Sequence, residues 1–197
     1  MKSLIASMTA LISITAFAQT KELKQVYKLD TTATQVEWVG KKLAGEHRGM
    51  VPVKSGELVV LGELLTGGSV VVDLTKLNVT DIKEKEYNDK LVGHLHSGDF
   101  FDTAKHPEAK LVIKDSKKVG ANLEVQGDLT MKGKTHLVKF LTTEFKVDGK
   151  TLTAKANVTV DRTKYGIKYN SGSFFKDLGD KVINDEFVLN IEVVAKK

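Results

Sequence analysis

The residues best equipped for chemistry crowd into one stretch. Residues 91–107 hold three of the chain's five histidines, His94, His96 and His106, together with Asp99 and Asp102. Imidazole and carboxylate are competent zinc ligands, and a histidine held beside a substrate can act as a general base. The spacing works against a shared ion. On a helix, His94 and His96 point about 200° apart. On an extended chain they share a face, but no third ligand follows at a fixed interval. A surface histidine pair is the better reading, and no metal is expected.

Other reactive patterns are weaker still. Gly133-Lys134-Thr135 resembles the tail of a phosphate-binding loop, but Asp128 stands where that loop needs its first glycine. His136, Leu137 and Val138 then continue as strand where it needs a helix. The chain has no cysteine, no G-x-S-x-G elbow and no serine framed by His and Asp. Arg162, directly after Asp161, reads as a partly buried structural arginine paired with a carboxylate. Basic residues are not interleaved with aromatics, and the formal net charge is only +5, so nucleic acid is not an expected partner. The aromatics are more informative. Trp38, Phe100, Phe101, Phe140, Phe145, Phe174, Phe175 and Phe187 are each ordinary core residues singly, but together they could line a cavity.

The elements that would position these side chains begin after a leader. Lys2, an apolar run over residues 4–17 and Ala16-Phe17-Ala18 ahead of Gln19 have the layout of a secretory signal peptide. The run is too short for a membrane anchor, which needs about 20 apolar residues. Residues 1–18 are therefore expected to be removed near Ala18-Gln19, leaving residues 19–197 as one soluble domain in the periplasm or outside the cell. That length buries a core without disulfides.

Almost all of this domain alternates apolar and polar residues in twos, the period of a half-buried strand. Strands are expected at residues 26–29, 35–39, 57–61, 69–74, 111–113, 122–131, 135–147, 152–160 and 186–194. Gly67-Gly68 is read as a tight turn, and Asp148-Gly149 is a strong hairpin signal. One segment breaks the period: residues 81–96 carry Tyr87, Leu91 and Leu95 at helical spacing. That helix should stop before Ser97-Gly98. Strands with one wet and one dry face close either as a sandwich or as a barrel. Ala154 and Ala156, in the middle of a dry face, favour a barrel with room inside, although they could equally make space for a neighbour such as Trp38.

Several segments in order resemble the YceI-like, polyisoprenoid-binding family. They are Tyr27-Lys28-Leu29-Asp30, Val36-Glu37-Trp38, residues 95–102 (LHSGDFFD) with His106-Pro107, residues 125–135 (VQGDLTMKGKT) and residues 160–167 (VDRTKYGI). The departures are His96 and Ser97, where many relatives carry a basic or polar residue, and Tyr165, where Phe is common. The resemblance implies an all-β, lipocalin-like antiparallel barrel of about eight strands with one short helical segment. It also implies an exported, non-enzymatic protein that holds a polyisoprenoid or similar apolar lipid, such as a prenyl quinone, for transport, storage or scavenging. Taken with the alternation, it makes Trp38, Leu123, Val125, Phe140, Ala154, Ala156, Val158 and Leu189 candidate wall residues, with Phe100 and Phe101 near a mouth. No cofactor is expected beyond the non-covalent lipid, and transient membrane contact and a homodimer remain open. Two alternatives stand beside this reading. One is an enzyme acting on such a lipid with His94, His96 or His106 as base; the other is an interaction barrel with a filled core.

Overall fold

The computed structural model describes residues 22–43 and 45–197; the expected leader lies outside them. Ten antiparallel strands form one sheet: β1 (Gln25–Leu29), β2 (Gln35–Lys42), β3 (Gly45–Met50), β4 (Val53–Leu61), β5 (Leu64–Asp73), β6 (Glu108–Val119), β7 (Asn122–Met131), β8 (Lys134–Asp148), β9 (Thr151–Asp161) and β10 (Ile183–Lys196). The sheet closes on itself. β10 pairs on one side with β9, and on the other with β2 through residues 35–42 and with β1 through Lys28 and Leu29. β1 and β2 thus form one stave interrupted at residues 30–34, and β3 and β4 form the next. Among the described residues the result is an eight-staved barrel with one α-helix, α1 (Lys85–His96). No helix among the described residues is long and apolar enough to cross a membrane.

Alternation is the physical reason for the closure. On β7 the inward Leu123, Val125, Gly127, Leu129 and Met131 are all buried and their neighbours are not. Curling the sheet lets that dry face meet its counterparts on the other strands. The strand register makes the two ends of the barrel unlike. One end carries the short turns at residues 62–63, 120–121 and 149–150. The other carries two long connections, residues 74–107 and 162–182.

Three local expectations are corrected. Gly67-Gly68 is not a turn but lies inside β5, across a register shift. A side chain on Gly68, with φ +115°, would meet the Glu57 carbonyl oxygen at 2.2 Å. The reversal occurs instead at Gly62, with φ +59°. Residues 45–50 are a strand, unmarked in the sequence because most of its face is exposed and polar. The helix begins at Lys85 rather than Asp81, because residues 77–81 form an extended strap along β3. The Asn78 and Thr80 amides donate to Met50 and Arg48 carbonyls, and the Asp81 carboxylate accepts from the Arg48 amide and contacts His47. On α1, Leu91, Val92 and Leu95 pack on the core, whereas Tyr87 points out at 62% exposure.

Candidate functional site: the lumen and its lid

The barrel encloses a cavity of about 150 Å³. Its wall is hydrocarbon. Besides the Trp38 indole N–H, which donates to the Asn78 carbonyl at 3.0 Å, Thr34, Thr142 and Lys155 are its only polar side chains among the described residues, and each has its polar atom engaged elsewhere. Thr34 Oγ1 donates to the Val194 carbonyl and accepts from the Val194 amide. Thr142 Oγ1 accepts from the Leu123 amide at 2.8 Å. Lys155 reaches Glu192 on the outer face at 3.1 Å. Apart from the Thr142 hydroxyl proton, a polar guest would find no free partner among these side chains, so burying a hydroxyl or amide there would carry a largely uncompensated desolvation cost.

Of the expected wall residues, Trp38, Val125, Phe140, Ala154, Ala156, Val158 and Leu189 come together around the cavity, joined by Phe101 at the lid. Leu123 and Phe100 do not touch it. Leu123 has the right face but the wrong depth. It sits with Tyr27, Val60 and Leu152 towards the short-turn end, where all four are almost completely buried and close the barrel. The row across β9, β10 and β2 runs Val158, Leu189, Trp38, with Ala156, Ile191, Val36 next to it. The small residues therefore widen the middle of the lumen beside the indole. The wall also contains Ile191, Val70, Val72 and Leu111, which sequence reasoning missed, and Phe145 and Phe187, which it named only among the aromatics that could together line a cavity. Strict alternation reaches most of these. It fails at Phe145, where a bulge between Thr142 and Glu144 switches the inward parity of β8.

Residues 91–107 cover the other end. The last turn of α1 leaves carbonyl groups without helical partners, and the following chain wraps back to supply them. The Phe101 amide donates to the Leu95 carbonyl, the Thr103 amide to His96, and the Phe100 and Asp102 amides to Ser97. The helix does stop before Gly98, but no left-handed glycine is used. Ser97 is extended (φ −70°, ψ 172°) and its hydroxyl donates to the His94 carbonyl at 2.8 Å. This wrap aims Phe101 into the cavity, while Phe100 packs against the His94 and Tyr169 rings at 4.9 and 5.8 Å. Lys132, on the β7–β8 turn, clasps the segment by donating to the Gly98 carbonyl at 2.6 Å. The three histidines go separate ways. His94 approaches Asp99 at 3.5 Å, His96 Nε2 is buried without a partner, and His106 lies beneath Gly133.

The second connection is anchored by Arg162, which is 4% exposed. Its guanidinium donates to the carbonyl oxygens of Asn184, Ile167 and Ile183, each at 2.9 Å, and lies 3.6 Å from Asp185. The expected structural arginine paired with a carboxylate is what the structure contains. Burial lowers the Arg162 pKa from its ordinary value, opposed by Asp185 and Asp161. Burial alone would raise the Asp185 pKa, but hydrogen bonds from Ser171 and Ser173 and the arginine charge hold it low. Tyr165, on the turn that follows Arg162, is 1% exposed and its hydroxyl has no partner. Burial and the nearby Asp161 push its pKa up to about 12.

Comparisons with known proteins agree with this architecture. Residues 27–195 match the model of the YceI-like domain. UPF0312 protein plu2095 of Photorhabdus laumondii is 36% identical over 104 residues, 53% of either chain. Protein YceI of Escherichia coli O17:K52:H18 is 32% identical over 105 residues, again 53% of either chain. The chain thus spans about half the length of the curated relatives it matches. Among solved structures, Burkholderia cenocepacia BcnA superposes with a TM-score of 0.64 at 23% identity, over 85% of this chain and 99% of that one. A polyisoprenoid binding domain from Saccharophagus degradans, implicated in plant cell wall breakdown, gives 0.61 at 14% identity, over 86% and 97%. These two likenesses speak for the fold. The sequence match across almost all of the barrel carries the assignment: the chain belongs to the YceI-like domain family.

Proposed function

We propose that this chain is a binding protein that holds a long apolar lipid, a polyisoprenoid or a prenyl quinone, in the barrel lumen. The observation that carries the reading is the wall itself, a closed hydrocarbon lining whose few polar side chains have their polar atoms engaged away from the lumen, the Thr142 hydroxyl proton apart. A solved relative of the same fold is a polyisoprenoid binding domain, which supports the ligand class. The energetics are adequate without a charged anchor. Extended ligands realise about 0.3 kcal/mol per heavy atom, so a five-carbon unit contributes about 1.5 kcal/mol and about five or six units reach micromolar affinity. No catalytic step is assigned, and His94, His96 and His106 are absent from the cavity wall. With the leader removed near Ala18, the carrier works in the periplasm or outside the cell.

The test is to purify the protein from its native source and analyse an organic extract by mass spectrometry, then to titrate delipidated protein with a prenyl quinone. An apolar ligand at near-stoichiometric amount, or saturable uptake, is expected. Repeated absence of both would remove the proposal. N-terminal sequencing of the exported protein should begin at Gln19.

A further inference from the structure

The lid end carries an apolar surface that the barrel fold does not need. Phe174 and Phe175 are 48% and 50% exposed, Tyr169 37% and Leu43 77%. They belong to one region. The Leu43 amide donates to the Val182 carbonyl and the Ile183 amide to Asn170. A side chain on Gly172 would lie 3.6 Å from Val182. The two phenylalanines are not simply loose. Both amides donate to the Ser171 carbonyl at 2.9–3.1 Å, and Ser173 between these elements is tied to Asp185 at 2.6 Å. The loop is built, and its build points two aromatic rings at the surroundings.

The patch is bordered by lysines, with the exposed Asp177 and Asp180 on the same loop. At the lid end the exposed Lys42, Lys168, Lys176 and Lys181 make no ion pair with any of the described residues. Lys168 instead stands 4.2 Å over the Phe174 ring. Exposed aromatic rings beside unpaired cations match the chemistry of an anionic bilayer surface, where rings settle at head-group depth and lysines meet phosphate.

We propose that the lid end docks on an anionic lipid surface, with Leu43, Phe174 and Phe175 inserted among head groups and Lys42, Lys168, Lys176 and Lys181 on the phosphates. This rests on the lumen reading for its purpose: docking would bring residues 91–107, with Phe101 over the cavity, against the membrane from which an apolar guest comes. It does not rest on that reading for its test.

Full-length protein and variants sharing its N-terminus are floated with phosphatidylcholine vesicles, with and without phosphatidylglycerol, at low and high salt. The wild type should partition onto the phosphatidylglycerol vesicles and be released by salt. Replacing Lys168, Lys176 and Lys181 with Gln should weaken partitioning by about fivefold per lysine. The double change Phe174→Ser and Phe175→Ser should weaken it by about tenfold or more. If that pair disturbs folding in a thermal melt, Leu43→Ser on the adjoining turn tests the same patch. No partitioning of the wild type, or partitioning unchanged by the loop variants, would overturn the proposal. So would a wild-type dimer that the Phe174→Ser, Phe175→Ser pair converts to monomer, since the patch would then belong to a second copy. Quinone uptake in vesicle-free solution separates the two readings: its failure with vesicle binding intact removes the lumen ligand and leaves the docking surface.

Discussion

Two adjacent phenylalanines divide the work of the lid. Phe101 faces the cavity; Phe100 faces away, into the His94–Tyr169 cluster. Truncating a buried phenylalanine typically costs about 3–5 kcal/mol, so Phe100→Ala should lower the melting temperature clearly. Phe101→Ala should instead speed release of a bound prenyl quinone while moving the melt less. The reverse order of effects in a thermal melt and a release assay would contradict this division. Tyr165 permits a cleaner test. Its buried hydroxyl has no partner, and an unsatisfied buried donor costs about 1–3 kcal/mol, so Tyr165→Phe should be neutral to stabilising. The pH dependence follows with its sign. The folded-state pKa of about 12 lies above the ordinary tyrosine value near 10. Below pH 10 both states keep the proton and stability is full; as pH rises towards 12 only the unfolded state loses it, so stability falls. Denaturant melts across that range should show the fall in the wild type and a flatter line in Tyr165→Phe.

At the scale of elements, the strap and the bulges set what each strand can present. Gly49 lets the strap at residues 77–80 lie against β3; a side chain there would sit 1.8 Å from the Asn78 carbonyl oxygen, the acceptor of the Trp38 indole N–H. Gly49→Ala should therefore cost about 1–3 kcal/mol through forced displacement and speed hydrogen exchange at the Asn78 and Thr80 amides. Unchanged exchange would show that the strap does not depend on this contact. The same features explain what the sequence makes legible. β7 and β9 read directly, since an unbroken strand with one dry face alternates from end to end. β8 reads only as far as Thr142, because its bulge reverses inside and outside before Phe145. Gly67-Gly68 looks like a turn because glycine's positive φ serves close backbone approach inside a strand as readily as a reversal. The strap is hidden inside a helical pattern because Asp81 answers to Arg48 on β3, 33 positions earlier in the chain, rather than to its own neighbours.

For the molecule as a whole, the barrel is a vessel with a sealed end and a covered one. Depth along its axis is what the sequence could not display: Leu123 and Val125 follow the same alternation on the same strand, yet one belongs to the seal and the other to the cavity wall. That depth depends on how all eight staves are staggered. Filling the lumen is the direct test. Ala156→Phe places a ring beside Ile191 and Thr142, where it enters empty space instead of an already packed core. It should abolish quinone uptake in a titration while the melting temperature moves by only a few degrees. Retained uptake would place the guest elsewhere.

Trp38 gives the same vessel an optical property. It is the one tryptophan in the chain, it lines the lumen, and its indole N–H is held by the Asn78 carbonyl at 3.0 Å. The protein's entire indole emission therefore originates at the cavity wall, without a label and without background from any other site. A quinone ring seated near the indole should quench that light, whereas a saturated chain of equal length should only shift its colour. Comparing prenyl quinones of graded tail length would then turn fluorescence into a ruler for how deep the ring sits.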